Sequence, residues 1–271
     1  MPTIVRKMPY ENADSVGIDP IVVTEDEYRI FAHPSLKHWF RAQEGFDTDS
    51  GWHCRLTDLP LVKSHANWPT RAVVAAYNDL PAIVIGNATQ SLWDGGEDIL
   101  PEDSFSVVVF GRVGPAENAF LWGNRGGNTS TISNLVMQFS SGGGILTQLY
   151  DRGSLTRTTT SSLATYPRAY ADGPNLVVSS YDAPSGGLVT RINRGRFVSA
   201  VGAATVASGP ANSEFHVGEA ITGADIQSGA VDGGDVAEIL IFYTALMHAS
   251  NADLLASVEA YIGTRYDMAA P

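Results

Sequence analysis

From Gly229 to Tyr243 the chain reads Gly-Ala-Val-Asp-Gly-Gly-Asp-Val-Ala-Glu-Ile-Leu-Ile-Phe-Tyr, a turn-rich approach to a run in which Glu238 is the only charge. As a strand, this run places Val236, Glu238, Leu240 and Phe242 on one face and Ala237, Ile239, Ile241 and Tyr243 on the other. Both faces are mostly apolar, so the strand must be covered on both sides. The next segment predicts a helix. Ser250 is placed to cap it, Asp253 completes a capping box, and Leu254, Leu255, Val258, Tyr261 and Ile262 form an apolar stripe that Gly263 ends.

A strand buried on both faces needs neighbours in its own sheet and a layer on either side, and the preceding sequence supplies many strands. Ala82 to Ile85 is the first clear one. Phe105 to Val113, Asn118 to Gly123, Asn134 to Phe139, Ile145 to Tyr150 and Leu155 to Thr160 follow at short intervals, with Gly- and Asn-rich turns between them. Asn175 to Tyr181 is expected to pair with Leu188 to Ile192 across Asp182-Ala-Pro-Ser-Gly-Gly187. The turn Asn193-Arg-Gly-Arg196, with Gly195 free to take a positive φ, leads into Phe197 to Val201. Glu214 to Gly218 is a further short strand. No helix-length crossover separates these strands, which excludes a parallel sheet. With 27 glycines and only 17% charged residues, the expected fold is all-β: an antiparallel sandwich of jelly-roll type closed by a C-terminal amphipathic helix.

The first 35 residues lack the periodicity of a core element and carry Pro2, Pro9, Pro20 and Pro34. They read as an extended N-terminal arm with one helical turn around Thr24 to Phe31, and residues 36–271 as the sandwich domain. Such an arm either lies on a neighbouring subunit or moves freely. Trp39, Trp52 and Trp68 fall on an irregular stretch and are assigned to packing.

A formal net charge of −12, with lysine only at Lys7, Lys37 and Lys63, argues against a nucleic-acid partner, which needs clustered cations. No run approaches the ~18 apolar residues of a membrane span, so no membrane partner is expected. The single cysteine, Cys54, excludes an intrachain disulfide. Met1 to Tyr10 has no apolar signal core, and synthesis in a host cytoplasm without Sec export is the expectation.

The order of motifs resembles the concanavalin A-like lectin/glucanase superfamily in its laminin-G-like form. The resemblance runs through Asn175-Leu-Val-Val-Ser-Ser-Tyr-Asp182, the hairpin ending in Asn193-Arg-Gly195, Phe215-His-Val-Gly218, and Gly233-Gly-Asp-Val-Ala-Glu-Ile-Leu-Ile-Phe-Tyr243. It closes with Ala245-Leu246 and Tyr261-Ile-Gly-Thr-Arg-Tyr266, and covers roughly Trp39 to Tyr266. Arg194 interrupts the Asn-Gly pair usual in such hairpins. Domains of this kind with an irregular N-terminal arm are similar to structural proteins of tailed bacteriophages. The resemblance therefore implies a noncatalytic virion protein, a head decoration or a fibre or attachment component. Its implied partners are capsid or tail proteins and its own subunits, as a homo-oligomer for which a trimer is one arrangement.

The residues bear on two other functions. Glycanases of this fold need paired carboxylates about 5 Å apart, and no such spacing occurs; Glu238 stands alone and reads as a structural, satisfied core carboxylate. A carbohydrate-binding adhesin needs flat aromatics beside loops, and Trp93 and Trp122 both border Gly- and Asn-rich loops, making them the candidate glycan-binding residues. Calcium could use the oxygen ligands of Asp94-Gly-Gly-Glu97-Asp98 or Asp232-Gly-Gly-Asp235. Neither has EF-hand spacing, and glycine-flanked aspartates are turn formers first, so no cofactor is expected. The six histidines lack zinc spacing.

Overall fold

Gly234–Phe242 runs through the middle of an antiparallel sheet, and all nine of its residues are buried. The structure, a computed structural model, describes residues 4–5, 22–57, 59–86, 90–97, 99–101, 103–112, 119–126, 134–139, 145–151, 154–160, 173–195, 197–201, 213–218, 220–222, 225–227 and 234–268. On one edge the central strand pairs with Phe105–Arg112. On its other edge it pairs first with Leu80–Ile85 and then with Leu36–Arg41. Past Phe105–Arg112 the sheet continues through Asn175–Asp182, Gly187–Ile192 and Phe197–Val201; past Leu80–Ile85 it ends at Thr70–Val74. A second antiparallel sheet runs in space from Ser154–Thr160 through Ile145–Asp151, Asn134–Phe139, Ala119–Gly126, Ser213–Val217, Leu92–Trp93, Pro60–Lys63 and Gly51–His53 to Phe46–Asp47. The fold is a β-sandwich with a C-terminal helix, as the strand pattern predicts.

Two cores result. One fills the space between the sheets, with Phe40, Trp52, Trp122, Phe215, Ile239 and Ile241 among its members. The other lies between the first sheet and the helices α1 (Glu25–Ala32) and α2 (Ala252–Arg265), around Ile30, Trp39, Phe110, Leu240, Phe242 and Tyr261. The central strand feeds both, which is why neither of its faces could be polar. Strict alternation fails at one point. Phe110 lies opposite Glu238 but Gly111 opposite Val236, a bulge at Ala237. Val236 therefore joins Ile239 and Ile241 between the sheets, while Ala237 turns to the helix side.

Three expectations about element ends change. The helical turn near Thr24 is the full helix α1, capped by Thr24 Oγ1 accepting from the Glu27 N–H at 3.1 Å, and it buries Ile30 against α2. Ser250 does not cap α2. It lies in the short 3-10 turn Ala249–Asn251, where the His248 imidazole accepts from its N–H. Gly263 does not end α2 either; it is buried within the last turn, where a Cβ would come 3.3 Å from the Arg194 guanidinium. The helix stops instead through Asp267 at φ 52, with the Met268 N–H donating to the Gly263 carbonyl at 3.0 Å, a Schellman ending without glycine.

Leu36–Arg41 is a strand that the pattern missed, and its last residue organises the helix-side core. Arg41 Nε donates to Glu238 Oε1 at 2.7 Å, Nη1 to Glu44 at 2.9 Å, and Nη2 to Glu27 at 2.5 Å and to the Tyr261 hydroxyl at 2.7 Å. Glu238 Oε1 also accepts from the Tyr261 hydroxyl at 2.5 Å and Trp39 Nε1 at 3.3 Å. Burial alone works against the charge on Arg41, but the carboxylates of Glu238 and Glu27 and the Tyr261 hydroxyl outweigh it, and the guanidinium stays protonated. Burial, then Glu238, raises the Tyr261 pKa and keeps that hydroxyl a donor. The arginine thus joins α1, α2, the central strand and its neighbour.

Removing one partner of a buried ion pair costs far more than the pair contributes. Arg41→Ala is expected to destabilise the protein by roughly 3–5 kcal/mol, and Glu238→Gln, which keeps an acceptor oxygen, by less; urea unfolding at neutral pH measures both. A second prediction concerns His38, buried on the same strand beside Phe40 and Tyr243. Burial, with a smaller contribution from Lys37, lowers its pKa from 6.5 to about 4. Between those values the unfolded chain holds a proton that the folded protein does not, so His38 erodes stability as pH falls through that window and has no such effect above it. Wild type should lose up to about 3 kcal/mol relative to His38→Gln between pH 7 and pH 4. A stability difference that stays constant over that range would refute this.

Candidate functional site

Leu92–Trp93 is a two-residue strand that bridges Ser213–Val217 and Pro60–Lys63 in the second sheet. Its neighbours set its direction. Leu92, Leu61, Phe215 and Val217 all enter the core between the sheets. The alternate positions, Trp93, Val62, Glu214 and His216, therefore lie on the sheet's outer face, away from the helices. In register, Trp93 stands between His216 on one strand and Val62 on the other.

The indole of Trp93 is partly exposed and stacks on His216, with ring centroids 6.0 Å apart and planes 24° from parallel. His216 is buried, and its Nε2 lies 3.3 Å from Glu214 Oε2, a carboxylate 36% exposed. A flat, partly exposed ring on the same sheet face as an accessible carboxylate offers a stacking surface next to hydrogen-bond acceptors, the combination that orients polar ligands on apolar surfaces.

Asp94 fixes this arrangement from beneath. It is buried, and its carboxylate accepts from the Phe215 N–H at 2.9 Å and the Gly96 N–H at 3.1 Å, while its own N–H donates to the Phe215 carbonyl at 3.0 Å. Asp94 follows Trp93 and Phe215 precedes His216, so one carboxylate holds the backbone next to both stacked rings. Gly95 and Gly96 take φ of 73° and 93° in the turn that allows it. Burial raises the Asp94 pKa to about 6, against the pull of the two backbone N–H groups.

Trp122 is not part of this face. It is fully buried between the sheets, stacked on Phe215 at 5.7 Å, and turns no ring surface to solvent. Glu238 is fully buried in the helix-side core, where Oε1 accepts all three of its bonds and Oε2 has no hydrogen-bond partner among the described residues, so the carboxylate expected to be satisfied is satisfied at one oxygen. The loop aspartates are also committed: Asp94 as above, and Asp235 to Arg112 at 2.5 Å and to the Tyr77 hydroxyl. Asp98, Asp232 and Gly233 lie outside the described residues, and among the described residues no group of three or more His, Cys, Asp or Glu is arranged to hold a metal ion. A shallow cleft of ≈ 390 Å³ lies on the opposite side of the molecule between α1 and α2, with Tyr28, His33, Asn251 and Leu254 in its lining.

The sequence singled out Trp93 but missed His216 and Glu214. Their signal was present in Glu-Phe-His-Val, whose alternation sends Phe215 and Val217 inward; what no local pattern held was the pairing of His216 with Trp93, more than a hundred residues apart in the chain.

No protein-family model matches the chain, and no curated protein matches it. Solved structures do. The chain is similar to the binding domain of botulinum neurotoxin DC in complex with SialylT, at 7% identity and a TM-score of 0.55, covering 86% of this chain and 52% of that one. The same binding domain in complex with rat synaptotagmin II aligns at 8% identity and a TM-score of 0.53, covering 82% and 52%. A Ruminococcus gnavus IT-sialidase CBM40 bound to alpha2,3 sialyllactose aligns at 11% identity and a TM-score of 0.46, covering 72% and 97%. The chain spans about half the length of the neurotoxin domains it matches. At these identities the likeness is one of fold, a β-sandwich.

Proposed function

We propose that this chain is a noncatalytic carbohydrate-binding module whose ligand face is centred on Trp93. The observation that carries the reading is the partly exposed Trp93 indole, held flat against His216 and flanked by the accessible carboxylate of Glu214. An indole face stacks on the C–H face of a pyranose, and a carboxylate accepts from sugar hydroxyls. The shared fold adds support, since the neurotoxin domain of similar architecture is a binding domain, solved in complex with SialylT and with rat synaptotagmin II. Glycan hydrolysis at Glu238 is disfavoured because that carboxylate is fully buried and already accepts from Arg41, Tyr261 and Trp39. Placement on a virion surface, as decoration or attachment component, rests on the sequence resemblance alone; a glycan-binding adhesin is one form of it.

The two tryptophans named from the sequence separate binding from stability. Trp93→Ala should leave thermal unfolding nearly unchanged and weaken oligosaccharide binding roughly tenfold or more. Trp122→Ala should destabilise the fold by about 3–5 kcal/mol, the usual cost of truncating a buried aromatic. Glycan-surface binding and thermal melts on the two variants decide it: a Trp93→Ala protein that binds like wild type sinks the assignment.

A further inference from the structure

The two sheets end differently at their two sides. At one side the edge strands Ser154–Thr160 and Phe197–Val201 lie against one another. At its opposite end the second sheet closes with Phe46–Asp47, a strand of two residues that carries an acid and runs into the Asp47–Asp49 turn. Thr70–Val74, the opposite edge of the first sheet, has no such protection. It pairs with Leu80–Ile85 in unbroken register, and no described strand pairs with its outer side. Four of its five residues are exposed. Val73 is 68% exposed, against 42% for Phe31, the other exposed large apolar side chain among the described residues. Edge strands are ordinarily guarded by lysine, proline, a bulge or a short length, because a row of unpaired N–H and C=O groups is a template for another strand. Thr70-Arg-Ala-Val-Val74 holds no lysine, proline or bulge, and Pro69 falls just outside it. Its one charge is tied to its own chain: Arg71 Nε donates to the Ala42 carbonyl at 2.6 Å and Nη2 to the Gln43 carbonyl at 2.8 Å, both just past Leu36–Arg41.

We propose that Thr70–Val74 is a self-association edge, on which two copies of the chain pair antiparallel about a two-fold axis at Ala72 and join their first sheets into one. An open strand edge demands an extended partner, and the side chains favour a second copy. Pairing about Ala72 engages the whole strand: Ala72 faces itself, while Thr70 faces Val74 and Arg71 faces Val73 of the second copy. The parity of the strand allows this register. Arg71 and Val73 share the face of Ile83 and Pro81 opposite them, and Thr70, Ala72 and Val74 lie on the other, so each proposed pair joins residues of one face. β-branched residues directly opposite one another stabilise a ladder, and no charge faces a like charge across it. The Arg71 stem, its guanidinium held by the Ala42 and Gln43 carbonyls, covers the exposed Val73 opposite it. A ladder of this length is smaller than the ~1,200 Å² at which stable interfaces begin, so the dimer is reversible and forms with rising concentration.

The test is sedimentation velocity on the full chain across a wide concentration range, at physiological salt, which screens the repulsion between copies of net charge −12 beyond about 8 Å. Monomer is expected to pass to dimer as concentration rises. Val73→Lys, which installs a guard on the edge, should weaken dimerisation roughly tenfold or more and leave the thermal melt unchanged, since Val73 is exposed. Ala72→Cys should form an intermolecular disulfide on mild oxidation, because residues directly opposite place their Cβ atoms about 4.5–5.5 Å apart; Cys54 is buried and does not compete. A chain that stays monomeric at every concentration overturns the proposal. So does a dimer that survives Val73→Lys and leaves Ala72→Cys unlinked, which places the interface elsewhere. A monomer whose Thr70–Val74 amides gain protection from hydrogen exchange only with an unrelated extended peptide also overturns it, and assigns the edge to a foreign strand.

Discussion

The contact between Arg41 and Glu238 is the constraint on which the architecture depends. Two charges have been taken out of water between a sheet and two helices, and their attraction offsets that desolvation only in a narrow geometry with further donors and acceptors in place. The structure supplies them from four elements: Glu27 of α1, Tyr261 of α2, Trp39 beside Arg41, and Glu238 on the central strand. A one-residue slip of Leu36–Arg41 would turn Arg41 into the apolar space between the sheets and Phe40 toward the helices. The ion pair therefore acts less as a source of stability than as a register mark. It permits one alignment of strand, sheet and helices.

That requirement also divides the molecule by function. The helix-side layer is filled and pairs Arg41 with Glu238 and Glu27, and the space between the sheets holds the other apolar cluster. What remains open is the outer face of the second sheet, where alternation must place residues that solvent can reach. Most such positions need only be polar. At Trp93 the face instead carries a large aromatic ring, backed by a buried histidine and pinned by a buried aspartate, an investment that solvent exposure alone does not explain.

The sheet, the closing helix and the Trp93 face were not equally legible in the sequence. The central strand announced itself because burial on both faces forces an unbroken apolar run, and the closing helix through the stripe of Leu254, Leu255, Val258, Tyr261 and Ile262. Leu36–Arg41 did not: Leu-Lys-His-Trp-Phe-Arg has no β-branched residue and three basic side chains, so its strand character comes from pairing with Gly234–Phe242 and from the acids that neutralise Arg41. The swap of Val236 between faces was equally invisible, since a bulge belongs to the pairing of two strands and not to either alone. Trp93 and Trp122 looked alike because each sits beside a polar loop. Only the parity of their strands, fixed by distant partners, sends Trp122 inward against Phe215 and leaves Trp93 outside.

Asp94 and Glu238 show two ways to bury a carboxylate, and the difference bears on how the ligand face behaves. Glu238 is held by a guanidinium and a phenol across three elements, so its loss would be felt by the whole helix layer. Asp94 is held by two backbone N–H groups within one sheet and its adjoining turn. Its pKa is raised to about 6 by burial, so the folded protein keeps that proton to higher pH than the unfolded chain. Stability from this residue accordingly declines as pH rises through the interval from about 4 to about 6, and at neutral pH the ionised carboxylate is retained against that cost. The two N–H bonds it then accepts are strongest in the same ionised state. Asp94 thus holds the turn behind Trp93 in the ionised state in which it contributes least to stability, and it does so through bonds separate from those of the Arg41 network on the far side of the sandwich.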